Sequence, residues 1–318
     1  MSGRRAASQP AYCGRFAPSP TGPLHFGSLV AALASYCDAR AAGGRWLLRI
    51  EDVDVARARP DAEAAILATL ERYGFRWDAA PVRQSARTAS YERALACLVE
   101  RRAAYPCACT RRELGAAPVS AAGEHVYPGT CRGGIRDEHA GRPQRAWRVD
   151  VGDAVVAFRD RLQGTQVQDL AREVGDFVVK RADGLFAYQL AVVVDDHEQA
   201  VTHVVRGADL LASTPRQILL QRLLGYAEPS YLHVPVAIDA AGGKLSKQTR
   251  AAPLPERALP VLAAAWRFLE QPWPEPGAPA SVDEFWAWAL AEWDPARLPP
   301  ATMLPAPRAL GEAQGGRV

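Results

Sequence analysis

Long hydrophobic runs are missing from this chain of 318 residues: nothing approaches the ~18 consecutive apolar residues that a membrane-spanning helix needs. The first ten residues, Met1 to Pro10, carry two arginines with no apolar stretch behind them, which is not the pattern of a secretory signal. Charge of one sign is scarce as well. The 38 basic and 35 acidic residues leave a net charge of +3, too mild to establish a nucleic-acid partner. Lysine itself is nearly absent, occurring only as Lys180, Lys244 and Lys247 in a chain otherwise supplied with arginine. A site that needs a compact, flexible ammonium resists replacement by a planar guanidinium, so the two lysines in Gly243-Lys-Leu-Ser-Lys247 mark a functional loop.

What is present is ordinary for a globular protein. Hydrophobic residues make up 48% and charged residues 23%, which excludes a disordered chain. The length suits about two domains and a full-sized core. A soluble, cytoplasmic protein with no membrane association is the expectation.

Along the chain, the prolines at 18, 20 and 23 forbid a helix between Gly14 and Ser28, which reads as a strand end running into a rigid loop. A helical pattern from Ser28 to Arg40 ends at Gly43-Gly44, and Trp46–Ile50 reads as an apolar strand. Strand, crossover helix and strand make a βαβ unit of a parallel sheet. Helices are predicted at about 60–73 and 88–104, followed by a loop-rich stretch from Cys107 to Asp150. Short β-like runs fall at Ala154–Phe158 and Phe177–Lys180. Phe186–Val194 and Val201–Arg206 read as buried strands, Pro215–Leu224 as a helix capped by Ser213 or Thr214, and His233–Ile238 as a last strand. Beyond residue 250 come Trp-rich helical pieces such as Glu284–Glu292, then a tail after Leu304 with the composition of disorder.

Of the six cysteines, Cys13, Cys37 and Cys97 read as small buried residues. Cys107, Cys109 and Cys131 crowd together. Three thiolates and one further ligand suit a tetrahedral, structural Zn²⁺, with His125 the fourth ligand by softness and frequency; free buried thiols are the alternative.

Two loops carry the chemistry. A glycine-containing turn that opens a helix offers free N–H groups and a favourable dipole to an anion, and His25 beside Gly27 adds a donor. Lys244 and Lys247 flank a hydroxyl and can hold a triphosphate while charge builds on departing pyrophosphate. Pro20-Thr-Gly-Pro-Leu-His25-Phe-Gly-Ser28 resembles the HIGH signature of class I aminoacyl-tRNA synthetases, and Lys244–Gln248 resembles their KMSKS loop, with Gln248 in place of the final serine. Arg15-Phe-Ala-Pro-Ser19 and Arg49-Ile-Glu-Asp-Val-Asp54 narrow the resemblance to the glutamyl branch. His-Phe-Gly-Ser, the cysteine cluster and the short length are most similar to its glutamyl-Q tRNA(Asp) members. The resemblance covers about residues 12 to 250.

That resemblance implies an α/β fold: a Rossmann-like, doubly wound parallel sheet formed by residues 12–105 and 186–250. It also implies a zinc-bearing insertion at 106–185. Outside its span, composition gives a small helical region at 251–304, with residues 1–11 and 305–318 disordered. The resemblance assigns L-glutamate contacts to Arg15, Phe16, Ala17, Pro18, Ser19, Glu51, Tyr188 and Arg206. ATP falls to His25, Gly27, Ser28 and Lys247, catalysis to His25, Lys244 and Lys247, and zinc to Cys107, Cys109, Tyr127 and Cys131. The physics of the assignments is consistent: Glu51 can meet an ammonium, and Arg15 and Arg206 can fork onto carboxylates. Mg²⁺ is expected with ATP on charge grounds.

The implied activity is ATP-dependent glutamate activation followed by transfer to queuosine in tRNA(Asp), by a monomer. Only about 70 residues follow Gln248 in the chain of 318, too few for the large anticodon-binding region of an ordinary glutamyl-tRNA synthetase. A short synthetase that charges a tRNA 3′ end is the second reading. A catalytically silent, zinc-bearing RNA-binding paralogue is the third, disfavoured by the presence of His25, Lys244 and Lys247.

Overall fold

The computed structural model describes residues 11–55, 57–115, 117, 119–120, 125–135, 139, 141, 146–239, 242–244 and 252–307. Lys247, with the rest of its loop from 245 to 248, lies outside the described residues, as do residues 1–10 and 308–318 of the two expected disordered ends.

Buried apolar strands and an apolar crossover helix build the first half of the sheet. β1 (Cys13–Phe16) runs into the proline loop, α1 (Phe26–Ala41) returns over it, and β2 (Arg45–Ile50) pairs parallel with β1, Gly14 opposite Trp46. α2 (Pro60–Arg72) leads to the short β3 (Val82–Arg83), parallel to β2, and α3 (Thr88–Glu100) follows. The chain then leaves the sheet through β4 (Ala104–Cys107), α4 (Arg111–Gly115) and β5 (Ala146–Val149). The hairpin β6 (Val155–Asp160) and β7 (Gly164–Asp169), α5 (Leu170–Glu173) and β8 (Val178–Lys180) come next. β4, β5 and β8 form a separate antiparallel sheet that carries Cys107 at the end of β4. The β6–β7 hairpin, inside the stretch expected to be an insertion, instead joins the larger sheet through β10.

The second half comprises α6 (Tyr188–Glu198), β9 (His203–Gly207), α7 (Thr214–Leu224), β10 (Ser230–Val234) and β11 (Val236–Ile238). After these come α8 (Ala258–Phe268), α9 (Val282–Glu292) and β12 (Met303–Pro305). β9 and β6 lie parallel on either side of β10. Thr202, just ahead of β9, donates its N–H to the Cys13 carbonyl at 2.9 Å and accepts the Cys13 N–H on its hydroxyl at 2.8 Å. β1 and β9 therefore start side by side, and the strand order reverses between them. In a doubly wound sheet this crevice, at the carboxyl ends of the strands, is where ligands bind.

Two expectations are corrected. Phe186–Val194, read as a strand, is largely α6. Its residues Leu190 to Asp196 are all buried, so no polar face marks the helical period, and periodicity cannot separate such a run from a buried strand. Order also continues past Leu304, because β12 pairs with β11 and the Ala306 N–H reaches the Ile238 carbonyl at 2.8 Å. Cys13 and Cys37 are buried as expected, whereas Cys97 is half-buried.

The C-terminal helices share the core of the sheet. α1 lies under them, and Tyr36, Trp46, Phe75 and Trp286 pack mainly edge-to-face with ring centroids 4.8–5.6 Å apart. Gly74 closes α2 with φ at +80°, and a Cβ there would stand 2.6 Å from the indole nitrogen of Trp286. That indole donates to the Tyr73 carbonyl at 2.8 Å. Gly74→Ala is expected to destabilise the fold by about 2–4 kcal/mol, from left-handed strain and overpacking together, read as a lower urea midpoint at unchanged m-value.

Candidate active site

At the crevice between β1 and β9 lies a cavity of about 260 Å³. It gathers the predicted glutamate residues Arg15, Phe16, Ala17, Pro18, Ser19, Glu51, Tyr188 and Arg206 with the predicted nucleotide residues His25, Gly27 and Ser28 and the predicted catalytic residue Lys244. Residues almost 200 positions apart meet because β1, β2 and β9 end together while α6 and the proline loop wall the sides.

The proline loop is fixed by its own backbone: Pro18 and Pro20 accept from the N–H groups of Glu51 at 3.0 Å and Arg59 at 2.9 Å. Its last residue, His25, is the N-cap of α1. Nδ1 accepts the Ser28 N–H at 3.3 Å, and the Ser28 hydroxyl returns a 3.5 Å contact to the His25 N–H, forming a capping box. With Nδ1 accepting, the neutral ring carries its proton on Nε2. Capping and ligand binding are thus compatible for this side chain. Across the cavity, Lys244 places Nζ 2.5 Å from Asp209 Oδ2.

Beneath the cavity lies a charge network that the sequence reading did not find. Arg49, fully buried on β2, donates to Asp196 at 2.7 Å and Gln199 at 2.8 Å and contacts Glu51 at 3.3 Å. Arg15 reaches the same Asp196 oxygen at 3.3 Å. Asp195, the preceding residue of α6, stands 3.9 Å from Arg49 Nε and accepts from Gln84 at 2.7 Å, Arg87 at 2.5 Å and Tyr91 at 2.8 Å. Burial would raise the Asp196 carboxyl, but Arg15 and Arg49 outweigh it and hold the group below its ordinary value. Glu51 goes the other way: burial pushes it up against the pull of Arg49 and Arg15. A cationic partner in the cavity would pull it back down.

Arg206 has its own support. Nε donates to His233 Nε2 at 3.0 Å, and Nη2 donates to Thr214 at 2.9 Å and Gln217 at 2.8 Å. Nη1, on the cavity side, has a 3.5 Å contact with the Tyr188 hydroxyl. The signals that could have drawn attention to this machinery were charged residues inside apolar segments: Arg49 in a strand, and Asp195 and Asp196 closing a hydrophobic run.

The cysteines form a second cluster away from the cavity. The Cys107, Cys109 and Cys131 sulfurs all lie within 4.8 Å of one another, with Cys109 and Cys131 3.6 Å apart. The Tyr127 hydroxyl is 3.4 Å from the sulfurs of both Cys107 and Cys109. His125 is exposed and contacts the Ala117 carbonyl at 3.2 Å, outside the cluster. Gly175 allows this arrangement: its φ is +69°, and a Cβ would come within 2.4 Å of the Tyr127 carbonyl oxygen.

Residues 13–254 match the tRNA synthetases class I (E and Q) catalytic domain. The chain belongs to that family, and within it to the glutamyl-Q tRNA(Asp) synthetases. One relative of that name, from Thiobacillus denitrificans, is 57% identical over 302 residues, 94% of this chain and 99% of the relative. Another, from Burkholderia mallei, is 59% identical and spans 89% of this chain and 96% of its own length. In three dimensions this synthetase is similar to the glutamate-tRNA synthetase of Elizabethkingia anophelis, at a TM-score of 0.76 and 26% identity, covering 96% of this chain and 70% of that one. Among the described residues no helix is long and apolar enough to cross a membrane.

His233 supplies a pH test of the Arg206 support. Burial, only partly opposed by Asp160, pushes its imidazole down to about 4 from an ordinary 6.5. The unfolded chain therefore takes up a proton between those values while the folded chain does not. Its contribution is complete above pH 6.5 and is lost as pH falls toward 4, at a slope of up to about 1.4 kcal/mol per pH unit. Urea midpoints of the wild type are expected to fall more steeply across this window than those of His233→Gln.

Proposed function

We propose that this synthetase activates L-glutamate with ATP as glutamyl-adenylate and transfers the glutamate to queuosine in the anticodon of tRNA(Asp). The observation that carries the reading is the single cavity shared by Arg15, Glu51, Tyr188, Arg206, His25 and Lys244, in a chain whose relatives bear that activity in their names over nearly their full length.

Glutamate presents one ammonium and two carboxylates. Glu51 receives the ammonium, Arg15 and Arg206 receive the carboxylates, and Tyr188 forms the wall between them. ATP lies with its phosphates toward the N-terminus of α1, where His25, Gly27 and Ser28 present donors; Lys244 approaches from the other side, and Lys247 is assigned to ATP by the lysine motif alone. The substrate α-carboxylate attacks the α-phosphorus and pyrophosphate leaves, so the residues contribute chiefly by alignment and by stabilising charge on the phosphorus and leaving group. Mg²⁺ bound with ATP neutralises part of the triphosphate charge. A hydroxyl of queuosine then attacks the acyl carbon and AMP departs, leaving an ester on the anticodon.

Zn²⁺ fits the cysteine cluster. A tetrahedral ion with Zn–S near 2.3 Å sets its sulfurs roughly 3.8 Å apart and a phenolate oxygen roughly 3.5 Å from them; Cys109 and Cys131 stand 3.6 Å apart, the three sulfurs lie within 4.8 Å of one another, and the Tyr127 oxygen is 3.4 Å from Cys107 and Cys109. Cys107, Cys109, Cys131 and Tyr127 would hold it, with no position left for water, so its part is to fix the fold of this segment. Cys131→Ser is expected to reduce zinc measured by atomic absorption from about one equivalent toward zero and to lower Tm. Zinc content equal to wild type would remove the ligand assignment.

The direct test uses labelled glutamate, ATP and tRNA(Asp) with or without queuosine, followed by nuclease mapping. Label on the anticodon stem-loop only when queuosine is present is the expected result. Label on the terminal adenosine would instead identify an enzyme that charges the 3′ end.

A further inference from the structure

Arg206 is held by a relay that reaches away from the cavity to the hairpin end of β6. His233 on β10 is fully buried, and its Nδ1 lies 2.6 Å from Asp160 Oδ2, itself fully buried. The protons in this chain can be assigned. A guanidinium nitrogen only donates, so His233 Nε2 must accept from Arg206 Nε, and the ring proton must sit on Nδ1, donated to Asp160. The other Asp160 oxygen, Oδ1, is occupied by the backbone N–H groups of Leu162 at 2.9 Å, Gln163 at 2.8 Å and His233 at 3.3 Å.

We propose that Asp160 and His233 are positioning residues for amino-acid recognition: Asp160 fixes the His233 tautomer, and His233 in turn fixes the Arg206 guanidinium so that Nη1 faces the substrate carboxylate. This inference rests on the reading of the cavity as the glutamate site. Neither residue lines the cavity, so both act through Arg206.

The isosteric change Asp160→Asn separates this role from simple packing. The three backbone donors keep the amide oxygen at the Oδ1 position, which turns the new NH₂ toward His233 Nδ1. That nitrogen must then accept, the ring proton moves to Nε2, and two N–H groups confront each other where Arg206 Nε donates now. Thr214 Oγ1, 3.2 Å from Nε2, is the neighbouring acceptor, but it already receives Arg206 Nη2. Arg206 has to shift.

The expected result in glutamate-dependent ATP–pyrophosphate exchange is a glutamate KM raised about tenfold or more, as for a lost hydrogen bond to a charged group, with the KM for ATP nearly unchanged. Nitrogen-15 NMR should show His233 changing from the Nδ1–H to the Nε2–H tautomer, its signal identified by its loss in His233→Gln. Arg206→Ala serves as the control. If Arg206→Ala leaves the glutamate KM unchanged, the site reading itself fails. If Arg206→Ala raises it while Asp160→Asn does not, or the tautomer stays on Nδ1, the positioning role is overturned. Should Asp160→Asn not fold, His233→Gln and His233→Asn decide. Gln reaches the Nε2 position and keeps an acceptor for Arg206, whereas Asn stops at the Nδ1 position. A high glutamate KM for Asn with substantial recovery for Gln supports the proposal, and equal values overturn it.

Discussion

The pairing of Arg49 with Asp196 is the constraint around which this molecule is arranged. A guanidinium with no solvent exposure has lost its hydration, and it persists because carboxylates and an amide take the donors on Nη1 and Nη2, while Nε has only the Asp195 charge at 3.9 Å. The Nη1 acceptors come from α6, some 150 positions downstream, so β2 cannot hold its charged side chain until α6 has docked. The same carboxylate takes Arg15 from β1, and the neighbouring Asp195 takes Arg87 and Tyr91 from the α3 side. One pair of consecutive acidic residues on a helix thus serves two walls of the fold, because successive helical side chains point in different directions.

The cavity lies directly above this network and inherits its rigidity. Glu51 stands between Arg49 and the open space, so its charge is balanced from below while its upper side faces a ligand. Arg15 is tethered through Nε, and Arg206 through Nε and Nη2. In each case the anchored atoms orient the guanidinium while part of the fork lines the cavity. A binding site for a small zwitterion needs this arrangement: freely rotating arginines would pay the entropy of ordering with every substrate molecule.

The cysteine cluster is organised differently. It gathers beside the small antiparallel sheet through Cys107 of β4, with Arg148 of β5 donating to Cys107 Sγ at 3.4 Å and stacked 3.9 Å from the Tyr127 ring. A cation here offsets negative charge that thiolates and a phenolate would concentrate, just as Arg49 is offset by carboxylates in the other core. The C-terminal helices form a third layer, attached through Trp286 and through Trp293, whose indole donates to the buried Asp38 at 3.4 Å.

Much of this was written locally. The prolines of the 18–23 loop, the glycines ending α1, the alternation of strand and helix, and the residues of the two lysine- and histidine-bearing loops are set by backbone stereochemistry and short-range pattern, which a sequence displays directly. Arg15–Ser19, His25, Gly27, Ser28, Glu51 and Lys244 could be named beforehand because their motifs are contiguous or nearly so, whereas Tyr188 and Arg206 followed only from the family resemblance. Tertiary structure alone decided that Leu190 to Asp196 coil into a helix, since a segment buried on every side shows no period. It alone paired Arg49 with Asp196, joined Asp160 to Arg206 through His233, brought β6 into the large sheet, and set Tyr127 rather than His125 beside the thiols. Each is a contact between residues distant in the chain, fixed by the need to satisfy a buried charge or fill a core, and no local propensity encodes which distant partner meets that need.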